Sequence, residues 1–155
     1  MPISRFVHRR QVLFHETDLA GIVHFSNFFK YMEEAEHAFM RSIGSSIHPQ
    51  EDWRSPVRHG WPRLKASCDF HAPLQFEDQI EIELTIEEIR TRAIRYRCYV
   101  WKLSGAERTH VATGELVVVS VVADRATGVI TTVPIPEALR EKIEAVSSRG
   151  VASAL

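Results

Sequence analysis

The sequence predicts an α+β domain. An antiparallel sheet of about five strands curves around one long helix, and a short helix follows near the C-terminal end. Three observations predict this. Phe28, Met32, Ala35, Phe39 and Ile43 recur at steps of four, three, four and four, so they share one face of a helix. Ile80, Ile82, Leu84 and Ile86 alternate with Glu81, Glu83, Thr85 and Glu87, the period of a half-buried strand. The strand-like runs follow one another after the helix instead of alternating with helices, which is the order of an antiparallel sheet rather than a parallel one.

Taken in order, Phe6 to Phe14 alternates and predicts a first strand. His15 to Gly44 reads as a short acidic loop followed by the long helix. Phe29, Ala38 and Met40 widen the apolar stripe, and Lys30, Glu33, Glu34, Glu36 and His37 fill the other side. Ser26 or Asn27 supplies a cap for the first free N–H groups, and Gly44 suits the left-handed residue after the last turn. Ser45 to Trp61 is polar and broken by Pro49 and Pro56, a length usual for a functional loop. It carries Ile47, Trp53, Val57 and Trp61, and the tryptophans predict that it packs on something. Leu64, Ala66, Cys68, Phe70 and Ala72 line one face of a strand ended by Pro73. Glu87 to Arg92 makes a polar turn after the Ile80 strand. Ile94, Tyr96, Cys98 and Val100 line the next strand, which turns at Ser104 to Glu107. His110 to Ala123 predicts one long Val-rich strand, apolar on both sides near its end as in a central or interface strand. Asp124 to Gly128 is a turn, and Pro136 opens a short helix with Leu139 and Ile143 inward. The residues beyond Val146, about 147–155, predict a frayed tail. No repeat or linker divides the chain, so residues 1–155 read as a single domain.

A chain of 155 residues with 45% hydrophobic and 25% charged residues is ordinary for a globular domain. It is long enough to bury roughly 68–70% of its unfolded surface. The net charge of −1 gives no electrostatic footprint for nucleic acid or an anionic membrane. No run of about 18 apolar residues exists to span a bilayer. The N-terminus is interrupted by His8, Arg9 and Arg10 and lacks a signal-peptide core, so a cytoplasmic protein is expected. Cys68 and Cys98 read as thiols rather than a disulfide. The eight histidines lack metal-ligand spacing, so no metal site is expected.

The loop before the long helix carries Asp18, Gly21 and His24. A helix start presents unpaired N–H donors and a partial positive charge. A carboxylate held beside that end is a catalytic arrangement, and it is also what ordinary capping looks like. Spacing alone does not choose between them.

The run Thr17-Asp18-Leu19-Ala20-Gly21-Ile22-Val23-His24-Phe25-Ser26-Asn27 resembles the signature of the 4-hydroxybenzoyl-CoA thioesterase family of hotdog-fold proteins. Asp69 to Asp78, with an apolar-Pro-Leu step before an acidic turn, is similar to the family's second landmark. Asp124 to Gly128 and the Pro136 helix match its closing segment. The resemblance implies a hotdog fold and a homo-oligomer, either a dimer joined sheet edge to sheet edge or a homotetramer of such dimers. It implies hydrolysis of an acyl-CoA thioester with no cofactor, coenzyme A being part of the substrate. Asp18 falls on the catalytic carboxylate, as nucleophile or as general base on water. Phe25 falls where a backbone N–H polarises the thioester carbonyl. Some relatives have His at the Phe25 position; here His24 is one residue earlier, which favours the form relying on Asp and the helix start. One fixed N–H on a developing oxyanion is worth about 3–4 kcal/mol, and Gly21 lets the loop turn tightly enough to meet the helix.

Around that pair the readings stay double. Glu16 is a solvated or loop-capping acid. His15 hydrogen-bonds within the loop. His24 lines an acyl pocket or is an ordinary loop histidine. Asn27 is a helix cap first and a substrate contact second. Arg90 and Arg92, with Arg95 and Arg125, meet the phosphates of coenzyme A or form a solvated hairpin. Trp61 is a packing anchor. The acyl group is aromatic or aliphatic, and the donor is coenzyme A or an acyl carrier protein. The rivals are a hotdog dehydratase, which pairs His and acid elsewhere, and a non-catalytic acyl-CoA binding module.

Overall fold

The computed structural model describes residues 1–47 and 54–147. Strand β1 (Arg5–Gln11) leads through a 3-10 turn at Phe14–Glu16 to helix α1 (Ser26–Ser42). Strands β2 (Val57–Gly60), β3 (Arg63–Phe70), β4 (Gln79–Ile89), β5 (Ala93–Ser104), β6 (Glu107–Val119), β7 (Val121–Asp124) and β8 (Ile130–Thr132) follow, and helix α2 (Glu137–Arg140) comes last. The main sheet is antiparallel with order β1-β4-β5-β6-β3; β2, β7 and β8 form a separate small sheet. The predicted α+β architecture is therefore present, with α1 against one face of a five-stranded sheet.

The period-two pattern sets that face. Ile80, Ile82, Leu84 and Ile86 of β4, Ile94, Tyr96, Cys98 and Val100 of β5, and Ala112, Leu116 and Val118 of β6 are all buried. Phe28, Tyr31, Met32, Ala35, Phe39 and Met40 of α1 are buried against them. Each fully buried large side chain contributes roughly 1.5–3 kcal/mol. Phe39 packs between Phe6 and Tyr96, and Phe28 meets Phe70 edge-on at 5.1 Å, so the start of α1 lies at the Phe70 end of the sheet. Gly44 has φ +70° and closes α1 as expected, with the Ser45 N–H on the Met40 carbonyl.

Several elements differ from the sequence reading, each for a local reason. β1 stops at Gln11 because the Glu16 carboxylate takes the Leu13 N–H at 2.7 Å and winds Phe14–Glu16 into a 3-10 turn. Glu36 is not on the solvent side of α1; it is 1% exposed and ion-paired to Arg63 at 2.5 Å. A bulge between Arg63 and Lys65 shifts the phase of β3. It turns Arg63 toward α1 and leaves Leu64 out of line with Ala66, Cys68 and Phe70. The predicted strand His110 to Ala123 breaks at Ser120, whose N–H goes to the Arg92 carbonyl while its hydroxyl lies 2.7 Å from His59 Nε2. The chain then leaves the main sheet as β7. The predicted loop Ser45 to Trp61 contains β2, which pairs with β7. Trp61 is half-buried against the core, T-shaped to His59. Trp53 and the end of the predicted tail, 148–155, lie outside the described residues. Cys68 and Cys98 are free thiols, each in register with Gly114 on opposite sides of β6, and burial pushes the Cys68 thiol up to about 11.

Candidate active site

The loop from Glu16 to Phe25 is built as a small hairpin. Thr17 bridges Val23, the Asp18 N–H donates to the Ile22 carbonyl at 3.0 Å, and the His24 N–H donates to the Glu16 carbonyl at 2.9 Å. Gly21 turns it: its N–H reaches the Asp18 carbonyl at 3.0 Å and its φ is +79°, a conformation that costs a glycine nothing. The Val23 N–H on the Leu74 carbonyl ties the hairpin to the segment after β3.

Asp18 sits at the exposed tip. Its Oδ1 accepts the Ala20 N–H at 2.8 Å. Phe25 immediately precedes α1, and its N–H has no acceptor among the described residues. Its ring is 62% exposed and stacks at 4.6 Å on His24. The N-cap position of α1 is Phe25, not Ser26 or Asn27, and its side chain makes no cap bond; one residue earlier, His24 Nδ1 accepts the Ser26 N–H at 3.3 Å and lies 2.8 Å from Ser26 Oγ. Nδ1 therefore carries a lone pair in this arrangement. Asn27 is buried at 8% exposure, and its Nδ2 donates to the Glu16 carbonyl at 2.7 Å. Its side chain is spent inside the chain rather than presented to solvent.

Glu16 is buried as well, so of its two readings the solvated acid is wrong and the loop-capping acid holds: its carboxylate accepts the Leu13 N–H. Arg10 Nη2 bonds both of its oxygens at 2.5 and 2.7 Å, and Arg10 Nη1 bonds Glu34 at 2.6 Å. The Arg10 guanidinium lies 4.4 Å over the Tyr31 ring. Burial, and next the Glu16 carboxylate, hold the Tyr31 phenol far above its usual range. Composition gave no hint of this network. The alternation of β1 did carry one: Phe6 faces α1, so Arg10, four residues on, must face it too.

Large apolar side chains gather at the same end. Leu13, Phe14, Leu19, Phe25, Phe70 and Phe76 are all exposed, and Phe14 meets Phe76 edge-on at 5.7 Å. Arg90 and Arg92 are elsewhere. Arg90 is exposed and forks onto Glu88 at 2.9 and 3.3 Å, and the Arg92 carbonyl receives the Ser120 N–H. The hairpin abuts the Ala112 end of β6 and these arginines its Val119 end, seven residues or about 24 Å away along the strand. One chain does not bring Arg90 or Arg92 to its own Asp18. A concavity of about 210 Å³ involving Leu64, Arg90 and Arg95, and another of about 240 Å³ involving Met40, His59 and Trp61, both lie away from the hairpin. Asp18 and Phe25 are both exposed on a single chain, and neither of these two concavities touches them.

Comparison with known proteins converges on one family. The model described as thioesterase-like superfamily matches residues 12–143. A putative esterase of Aquifex aeolicus is 38% identical over 97 residues, covering 63% of this chain and 73% of that protein. A 1,4-dihydroxy-2-naphthoyl-CoA hydrolase of Synechocystis is 33% identical over 106 residues, covering 68% and 72%. A gentisyl-coenzyme A thioesterase structure superposes with TM-score 0.71 at 30% identity over 87% of this chain and 99% of that one. A 4-hydroxybenzoyl-CoA thioesterase complexed with 4-hydroxybenzoyl-CoA superposes with TM-score 0.80 at 17% identity, over 92% and 100%, a likeness of fold.

Proposed function

The chain belongs to the thioesterase-like superfamily and has the hotdog fold; from that premise we propose that it hydrolyses an aromatic acyl-CoA, with Asp18 and the Phe25 N–H as its reacting groups. The observation that carries the reading is the hairpin. It fastens the loop bearing Asp18 to the start of α1 and leaves the Phe25 N–H without an acceptor among the described residues. Attack on a thioester places negative charge on the carbonyl oxygen. A fixed N–H at a helix start stabilises that charge without reorganising. The Asp18 carboxylate either attacks the carbonyl carbon, expelling the thiolate and forming an anhydride that water opens, or takes a proton from the water that attacks. The thiolate leaves readily in both routes. The exposed Phe and Leu side chains around the loop supply an apolar seat, and relatives named for naphthoyl and gentisyl thioesters support an aromatic acyl group.

The same reading includes a homodimer. β3 is an edge strand, with Leu64, Ala66 and Phe70 exposed along it. Antiparallel pairing of β3 with its copy about a two-fold axis sets the Arg63 end of one chain beside the Phe70 end of the other. That pairing carries Arg90 and Arg92 of a second copy toward the Asp18 end, where they have the charge to meet coenzyme A phosphates. Thiol release from a panel of aromatic and aliphatic acyl-CoAs, with Asp18→Asn as control, tests the function. Acyl-CoA binding without thiol release from any substrate would identify a binding module instead.

A further inference from the structure

We propose that Glu16, held by Arg10, is a positioning residue that sets the distance between Asp18 and the Phe25 N–H. The proposal rests on the hydrolase reading above. Glu16 is 5% exposed. Its two ends act on different parts of the site. The backbone carbonyl receives both the His24 N–H at 2.9 Å and Asn27 Nδ2 at 2.7 Å. Asp18 lies two residues beyond that carbonyl on one arm of the hairpin, and Phe25 follows His24 on the other. A shift of the Glu16 peptide therefore moves one reacting group against the other. The carboxylate receives the Leu13 N–H and two bonds from Arg10, and Arg10 in turn bonds Glu34 of α1. The Glu16 peptide is thus anchored through Arg10 to β1 and to α1. Glu16 touches no reacting atom; it acts through the two bonds at its carbonyl.

The test uses the full-length protein. Asn27→Ala removes one of the two bonds at the Glu16 carbonyl and leaves the other, and Glu16→Gln keeps the side chain's shape while discharging it. Thermal melting establishes that each variant is folded. Thiol release from the best aromatic acyl-CoA, and amide hydrogen exchange over residues 16–27, are then measured for wild type, both variants and Asp18→Asn. The expected result is a kcat lower by about 10- to 100-fold, the scale of a misplacement near 1 Å. KM is expected to stay within about threefold, with faster exchange at His24, whose N–H is bonded to the Glu16 carbonyl, and unchanged exchange in β4 and β5. Wild-type kcat in both folded variants would overturn the proposal. So would unchanged exchange over residues 16–27. A wild-type protein that releases no thiol while Asn27→Ala and Glu16→Gln still loosen residues 16–27 would instead sink the hydrolase reading and leave the clamp itself standing.

Discussion

Gly114 of β6 lies directly beneath the thioether of Met32 in α1, so close that a Cβ added at Gly114 would overlap the sulfur. The glycine is required by approach rather than by backbone angle, and it lets the middle of α1 rest on the sheet. Ser67's carbonyl, 3.4 Å from the same point, closes the other side. Gly114→Ala should cost about 1–3 kcal/mol by overpacking. Shortening Met32 to Ala in the same protein should return part of that loss, so the double variant should be less destabilised than the sum of the singles. Denaturant midpoints of the four proteins measure this.

Arg63 neutralises a carboxylate that has no access to water. Burial raises the Glu36 pKa, and the Arg63 charge pulls it back. Arg63→Met should therefore cost about 3–5 kcal/mol at neutral pH, because Glu36 is left charged and unpaired. The sign with pH follows from linkage. A folded-state pKa raised above 4.5 means that the folded protein holds the proton more tightly than the unfolded chain. In the variant, stability should fall as pH rises above about 4.5 and recover on acidification. Adding Glu36→Gln should flatten that dependence.

His59 works in the opposite direction. Burial lowers its pKa below 6.5, and its Nε2 is engaged with Ser120. Below about pH 6.5 the unfolded chain takes up a proton that the folded chain refuses, so stability should fall with falling pH by at most about 1.4 kcal/mol per unit. His37 and His110, lowered first by burial, add to the same slope. His59→Gln should make the loss between pH 7 and pH 5 shallower, as followed by denaturant midpoint.

Asp18→Asn should leave stability within about 0.5 kcal/mol, the usual range for an exposed site, since the amide oxygen can still accept the Ala20 N–H. Its turnover should fall by about 100-fold or more, the contribution of a positioned base or nucleophile. Thermal melting and thiol release on one preparation separate the two effects.

The helix stripe and the alternation of β4 were legible because each is a property of one element. Phe28, Met32, Ala35 and Phe39 needed only the helical period to be placed inward, and all four are buried. The same reasoning misplaced Glu36, since a charged residue on a helix is assigned to water until a cation is found for it, and Arg63 stands 27 positions away. It misplaced Leu64 because one bulge reverses every later or earlier assignment in a strand. Asp18 and Phe25 were singled out by a motif, and their flanking hairpin is present. The inner role of Glu16 was hidden, because its burial depends on Arg10 pointing inward from β1.

By itself, then, the sequence determined which face of each element is apolar and the order in which the elements run, and with these the α+β class and the loop that carries Asp18. Periodicity and turn residues act over a few positions and are written locally. Only the tertiary structure decided that Arg10 meets Glu16 and Glu34, that Arg63 meets Glu36, that β2 and β8 pair with β7, and that one chain keeps Arg90 and Arg92 at the far end of its sheet from Asp18. Those pairings depend on which strands and helices become neighbours, and the alternation of a single strand carries no record of what lies across from it.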